Sequence, residues 1–221
     1  MATILIYNNE TGNMERYIRE PGQPMPYNIG GTLTAGEFLG CNDFGWSDTE
    51  TMAAWNLLRE QFDQPIKVDR AFVRVSQQSF ESARQHYAGT AFRMGSNLSP
   101  AQLDELYEIA NNSGAFSYVA PRVSRFSPLE MDRRYEPSNY FLTFGFPILR
   151  RGTVCNQVVL AQDALSLLGY SAGTLDGIYG ERTETAVRAF QNDRRLASDG
   201  IVANLEWESL LNMAINFGAT A

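Results

Sequence analysis

The sequence predicts an α+β domain followed by a small all-α domain. Two observations carry that expectation. Residues 1–134 mix short β-prone runs with capped helical patterns, the signature of strands and helices in one layered unit. Residues 152–221 carry three apolar faces at helical spacing, separated by glycine-containing turns. A chain of 221 residues has room for both.

Taken in order, Thr3–Tyr7 is β-prone, Asn8–Asn13 is turn chemistry and Met14–Arg19 is a returning strand, so a hairpin is expected. Residues 20–31 are rich in Pro and Gly and predict a loop. Ser47–Arg59 predicts a helix with Ser47 as its cap and Glu50 completing a capping box. Ile66–Val75 is expected to be a strand. Ser99-Pro100 opens another helix, with Leu103, Leu106, Tyr107 and Ala110 on its inner face. Phe116–Val119 is a further short strand, and Arg122–Arg134 contains one more. Glu136-Pro137-Ser138-Asn139 opens a connecting segment, 135–151, whose later part is unusually apolar. That apolar run, 140–149, either packs against a domain or offers a surface to a partner protein.

In the last segment Val154, Val158, Ala161, Leu165 and Leu168 recur at four- and three-residue steps, and Gly169 follows where a helix end wants positive φ. Ala186, Val187 and Phe190 form a second face, with Thr183 as the expected cap. Trp207, Leu210, Leu211 and Ala214 form a third, with Asn204 as the expected cap. Asp176-Gly177 and Asp199-Gly200 each precede Ile, a weak internal repeat. Three helices in about 65 residues lie near the lower limit for an autonomous core.

Composition narrows the function. Net charge is −7, and residues 152–221 hold eight acids against four arginines. That balance argues against nucleic acid as the main partner. No apolar run approaches the length of a membrane span. Met1–Tyr7 lacks the basic start and long apolar middle of a secretory signal. Lys67 is the only lysine, so nearly every cation is an arginine, suited to gripping carboxylates with two bonds. Cys41 and Cys155 lack zinc-site spacing and are expected to be small buried residues. Ser76, Ser79 and Ser82 precede His86 without a Gly-x-Ser-x-Gly elbow, and no phosphate-binding or dinucleotide fingerprint is present.

Two resemblances add to this. Leu168-Gly169-Tyr170, Leu175-Asp176-Gly177-Ile178-Tyr179-Gly180, Ala186-Val187-Arg188-Ala189-Phe190-Gln191, Asp199-Gly200-Ile201-Val202 and Trp207-Glu208-Ser209-Leu210 fall in the order of the three-helix peptidoglycan-binding domain. Residues 152–221 resemble that family. The resemblance implies peptidoglycan as partner, and a location at the bacterial wall, outside the cell or in a larger assembly. The face near Tyr170, Asp176, Tyr179 and Arg182 is the expected binding site: tyrosines offer flat area to sugar rings, and Arg182 and Asp176 can pair with stem-peptide carboxylates and amines.

The second resemblance rests on Arg74-Val75-Ser76, on His86-Tyr87-Ala88-Gly89-Thr90-Ala91-Phe92-Arg93 and on Pro128-Leu129-Glu130-Met131-Asp132-Arg133-Arg134. Residues 1–134 look similar to the zinc D-alanyl-D-alanine carboxypeptidases, whose fold is shared with the hedgehog signalling domain. In that family a His, an Asp seven residues later and a later His hold zinc, and an acidic residue acts as general base. Here His86 matches the first ligand, Arg93 stands where the Asp belongs, and Glu130 where the later His belongs. His86 is the only histidine in the chain. A guanidinium stays protonated and repels a divalent ion, whereas zinc needs three or four converging donors. His86, Arg93 and Glu130 therefore predict a vestigial site with no metal, no cofactor and no catalytic residues, in which Arg93 and Glu130 form an ion pair in place of the ion. The resemblances together imply a non-catalytic wall-binding or targeting protein with a pseudo-peptidase domain. An active wall peptidase and a structural subunit of a bacterial or phage-derived assembly are the alternatives.

Overall fold

The computed structural model describes residues 1–77, 84–134 and 145–218. The chain opens with the expected hairpin, β1 (Ala2–Asn8) and β2 (Asn13–Arg19), in register from Ala2–Arg19 to Asn8–Asn13. Its turn is closed by the Asn8 side chain, whose Oδ1 accepts from the Glu10 and Thr11 amides. A helix of one turn and a half, α1 (Ala35–Leu39), carries the chain over to β3 (Phe44–Asp48), which pairs in parallel with β1. Neither α1 nor β3 was expected from the sequence.

Helix α2 (Thr49–Gln61) follows at once. Its cap is Asp48, whose carboxylate accepts from Thr51 N at 2.7 Å, and not Ser47. Strand β3 runs one residue further than the capping-box pattern implied, so Ser47 is buried in the strand and donates its hydroxyl to Gly89 O at 2.6 Å. Burial is the largest influence on Asp48 and raises its pKa, against the lowering effect of the cap bond. A carboxyl raised in the native state contributes stability that is complete below the unfolded-state pKa and is lost as pH rises through the native one. Asp48→Asn keeps the cap and removes the charge. The variant is expected to gain stability relative to the unsubstituted chain as pH rises from about 4 towards neutrality. Urea unfolding at several pH values checks this, and parallel curves would contradict it.

A second, antiparallel sheet has the order β4 (Val68–Arg70), β5 (Ala91–Met94), β7 (Leu129–Asp132), β6 (Tyr118–Val119). The strand expected over Ile66–Val75 shrinks to three residues. Beyond it the backbone leaves the sheet: Phe72 N bonds to Phe38 O and Val73 N to His86 O, while Phe72, Val73 and Val75 stay buried as apolar loop. The strands expected within 116–119 and 122–134 are present but shorter. Short α3 (Arg84–Tyr87) leads into Gly89, where φ is +70° and a Cβ would stand 1.8 Å from Trp46 O. Only glycine lets the two sheets approach this closely. Helix α4 (Pro100–Asn112) has the expected Ser99 cap, completed by Gln102.

The last segment forms α5 (Asn156–Leu167), α6 (Glu181–Arg194) and α7 (Asn204–Gly218). Gly169 takes the positive φ expected after α5. The two expected caps are corrected. Gly180 precedes α6, and Thr183 lies inside it, buried, donating its hydroxyl to Ala172 O at 3.2 Å. Asn204 is already the first residue of α7; Ala203 precedes it, its carbonyl accepting from Trp207 N and its amide donating to Glu206.

Every residue of α5 from Asn156 to Leu165 is buried, which a helix on the outside of a free module would not show. One side meets α6 and α7; the other meets β1 and β3. Asn156 Nδ2 donates to Ala88 O at 2.8 Å, and Asp163 pairs with Arg74 across the same junction. One apolar core therefore runs through both halves of the chain. Of the apolar run 140–149, residues 140–144 lie outside the described residues. Phe146 packs on Trp207 with ring centroids 5.0 Å apart, Leu149 bridges to Val202, and Ile148 stays exposed.

Candidate functional site

Of His86, Arg93 and Glu130, the three residues expected to form a vestigial site, the structure brings two together. The His86 ring is buried, with Nδ1 2.8 Å from Ala71 O and Nε2 2.9 Å from Glu130 Oε1. A carbonyl only accepts, so Nδ1 carries a proton. Arg93 and Glu130 are cross-strand partners on β5 and β7. The expected ion pair between them is absent, because Glu130 turns to His86 and Arg93 is exposed. Nearby Asp132 is buried and its pKa is raised by desolvation, partly offset by two bonds from the Arg134 guanidinium. Among the described residues no three His, Cys, Asp or Glu side chains converge as a metal set. The donors do not fit a zinc ion: both His86 nitrogens are engaged, and the third position holds an exposed guanidinium. Cys155 is buried as expected, but Cys41 is exposed, accepting a bond from Gln77.

In the C-terminal module the four expected binding residues separate into two groups. Tyr170 and Arg182 line one open cleft of about 470 Å3, together with the loop Gly169–Thr174 and Ser166. Tyr170 is half-buried, its ring edge-on to Phe190 at 5.6 Å and its hydroxyl bonded to Asp193 at 2.8 Å. Burial, then that bond, raises its pKa. The Arg182 stem lies over Gly173, where a Cβ would come within 3.4 Å of it, and φ of Gly173 is +91°. Arg182 is exposed and, among the described residues, forms no ion pair.

Tyr179 and Asp176 do not belong to this cleft. Tyr179 is 1% exposed and donates its hydroxyl to Gly200 O at 2.8 Å, so its ring is core and offers nothing to a sugar. Asp176 shapes its own turn: Oδ1 accepts from Ile178 N at 2.9 Å and from Gln162 Nε2 at 3.0 Å.

Gln162 and Gln191 are what the sequence reading missed. The Gln162 oxygen accepts from the Asp176 and Gly177 amides, and its nitrogen donates to Asp176, Ile178 O and Thr183. Gln191 treats the second turn alike, accepting from Gly200 N and donating to Asp199 and Ile201 O. The repeated Asp-Gly-Ile is thus two copies of one device, a buried amide clamping a tight turn. A glutamine on an otherwise apolar helix face was the signal. Through Thr183 and its bond to Ala172 O, Gln162 also fixes the wall of the Tyr170–Arg182 cleft.

Residues 156–210 match the family described as "Putative peptidoglycan binding domain". A crystal structure of a peptidoglycan-binding protein from Clostridioides difficile, in complex with glutamine hydroxamate, is 35% identical over 31% of this chain and 42% of that one, with a TM-score of 0.30. The chain thus spans less than half the length of that protein. The C-terminal module is a domain of the peptidoglycan-binding type, and among the described residues no helix is long and apolar enough to cross a membrane.

Proposed function

We propose that the protein binds the bacterial wall through the Tyr170–Arg182 cleft, and that its N-terminal domain is a non-hydrolytic companion to that binding. The observation that carries this reading is the meeting of an unpaired arginine and a tyrosine ring in one open cleft of a peptidoglycan-binding-type domain. A guanidinium grips a stem-peptide carboxylate with two parallel bonds. The ring and the backbone of Gly169–Thr174 offer a platform and polar groups to the adjoining sugar. The pseudo-peptidase half of the reading is supported by the places of His86, Arg93 and Glu130. The residue paired with His86 is an acid where the resemblance asks for a second imidazole, and the cation opposite it repels a metal. On this reading the protein works at the cell wall or outside the cell.

Sedimentation of the full chain with insoluble peptidoglycan tests it. Arg182→Ala and Tyr170→Ala are each expected to weaken binding about tenfold, the scale of an interface anchor. Tyr179→Phe loses a core hydrogen bond and is expected to melt earlier while binding the wall as before. Equal binding by all variants would remove the cleft from the account. Release of stem-peptide fragments that vanishes in His86→Ala would restore the peptidase.

A further inference from the structure

We propose that the cleft where the N-terminal domain meets the start of α5 is a second binding site, for a small zwitterion: an α-amino acid or a short peptide with both ends free. The cleft encloses about 390 Å3, and its walls are drawn from both halves of the chain, Tyr7 and Pro147 among them. The end of β3 and the start of α2 supply Asp48 and Glu50, the end of β7 supplies Arg133 and Arg134, and the first turn of α5 supplies Gln157.

One wall suits a carboxylate. The Gln157 and Val158 amides at the start of α5 turn to the Cys155 thiol, which brings no charge, so the positive end of a 12-residue helix faces the cleft uncompensated. Its Cys155 thiol is pushed up to about 11, chiefly by burial, and stays neutral there. Arg134 uses Nε and Nη2 on Asp132, leaving Nη1 without a partner among the described residues. Gln157 is the independent sign of a ligand. It is 9% exposed, it lines the cleft, and its side-chain amide has no partner among the described residues. Its polar atoms reach the cleft, where the amide NH2 is free to donate to a ligand carboxylate. The other wall suits an ammonium group. Glu50 pairs with Arg133 at 2.7 Å through one oxygen while its side chain stays more than half exposed, and the Asp48 carboxyl, which caps α2, lies beside it. Arg133 is answered by Glu50 and Arg134 by Asp132, so the cleft carries no large excess of either sign and a molecule bearing both charges suits it better than a simple anion or cation. The inference stands apart from the wall-binding reading, because its ligand is soluble and neither Tyr170 nor Arg182 lines this cleft.

The test is a titration of the isotopically labelled full chain, followed by NMR at the backbone amides of residues 156–158 and at the Arg134 side chain, with alanine, dialanine, N-acetylalanine and alaninamide. Saturable shifts with alanine or dialanine are expected, and the tighter of the two tells a free amino acid from a peptide. Blocking either charged end is expected to weaken binding at least about tenfold. Gln157→Glu, which keeps the side-chain length and sets a charge against the ligand carboxylate, is expected to weaken dialanine by a similar factor and to spare alaninamide. No saturable shift with any probe, or shifts indifferent to both blocking groups and to Gln157→Glu, would overturn the proposal.

Discussion

A chain ending at residue 151 is expected to lose its cooperative unfolding transition. Helix α5 is buried along ten consecutive residues and forms part of the wall behind β1 and β3. Val158, Val159, Leu160 and Leu165 are all at 0% exposure. Each fully buried aliphatic side chain contributes about 1.5–3 kcal/mol, and a whole domain is stable by only about 5–15 kcal/mol. The truncation also strands charge and polarity: Arg74 loses Asp163, and Ala88 O loses Asn156. Thermal melting followed by near-ultraviolet circular dichroism, with a dye for exposed apolar surface, measures this. A sharp transition within a few degrees of the full chain would mean that α5 belongs to the module alone. If the expected loss is seen, wall binding has to be dissected with point substitutions, because removing the module also damages the domain it leaves behind.

Gln162→Leu is expected to destabilise the protein by about 3–5 kcal/mol, which lowers the melting temperature by roughly 10 °C. Leucine is apolar and one heavy atom shorter, so the lost hydrogen bonds dominate and a small repacking cost adds to them. It leaves the Asp176 and Gly177 amides and Ile178 O without their buried partner. Gln162→Glu is expected to be no better, since a carboxylate would face Asp176 Oδ1 and Ile178 O, both acceptors. Gln191→Leu removes fewer bonds at the second turn and is expected to cost less. Both Gln162 variants are also expected to bind the wall less well, through Thr183 and Ala172. Calorimetry on the four proteins decides the matter, and unchanged melting in Gln162→Leu would show that the turn holds without its clamp.

Local signals told most about the elements whose stability is local. The Met14–Arg19 hairpin arm, the Ser99-Pro100 helix start and the Gly169 helix end each follow from a few neighbouring residues, and each formed as expected. Errors came where a distant partner decided. Ser47 carries a good capping pattern, but pairing with β1 draws it into β3 and hands the cap to Asp48. Thr183 looks like a cap until Ala172 and Gln162 are seen on either side of its hydroxyl. Phe72 to Val75 has strand composition, yet its amides find partners in α1 and α3 rather than along a sheet.

The site was legible to the same degree. The motif around Tyr170 to Arg182 marked the stretch that lines the proposed cleft, and a motif cannot tell which of its aromatic residues face inwards. Tyr179 sits ten positions after Gly169, directly after the bridged Ile178, and turns into the core, while Tyr170 stays at the rim. Spacing placed Arg93 opposite Glu130, but His86 competes for that carboxylate from a third element, which no spacing rule contains.

The most direct test of wall recognition is chemical-shift mapping of the isotopically labelled full chain with soluble peptidoglycan fragments. Saturable changes are predicted at the amides of Gly169 to Thr174 and at the Arg182 side chain, with Asp176 and Tyr179 following only weakly. Changes centred on another face of the α5–α7 module, with Gly169–Thr174 and Arg182 silent, would contradict the cleft as the place where this protein meets the wall.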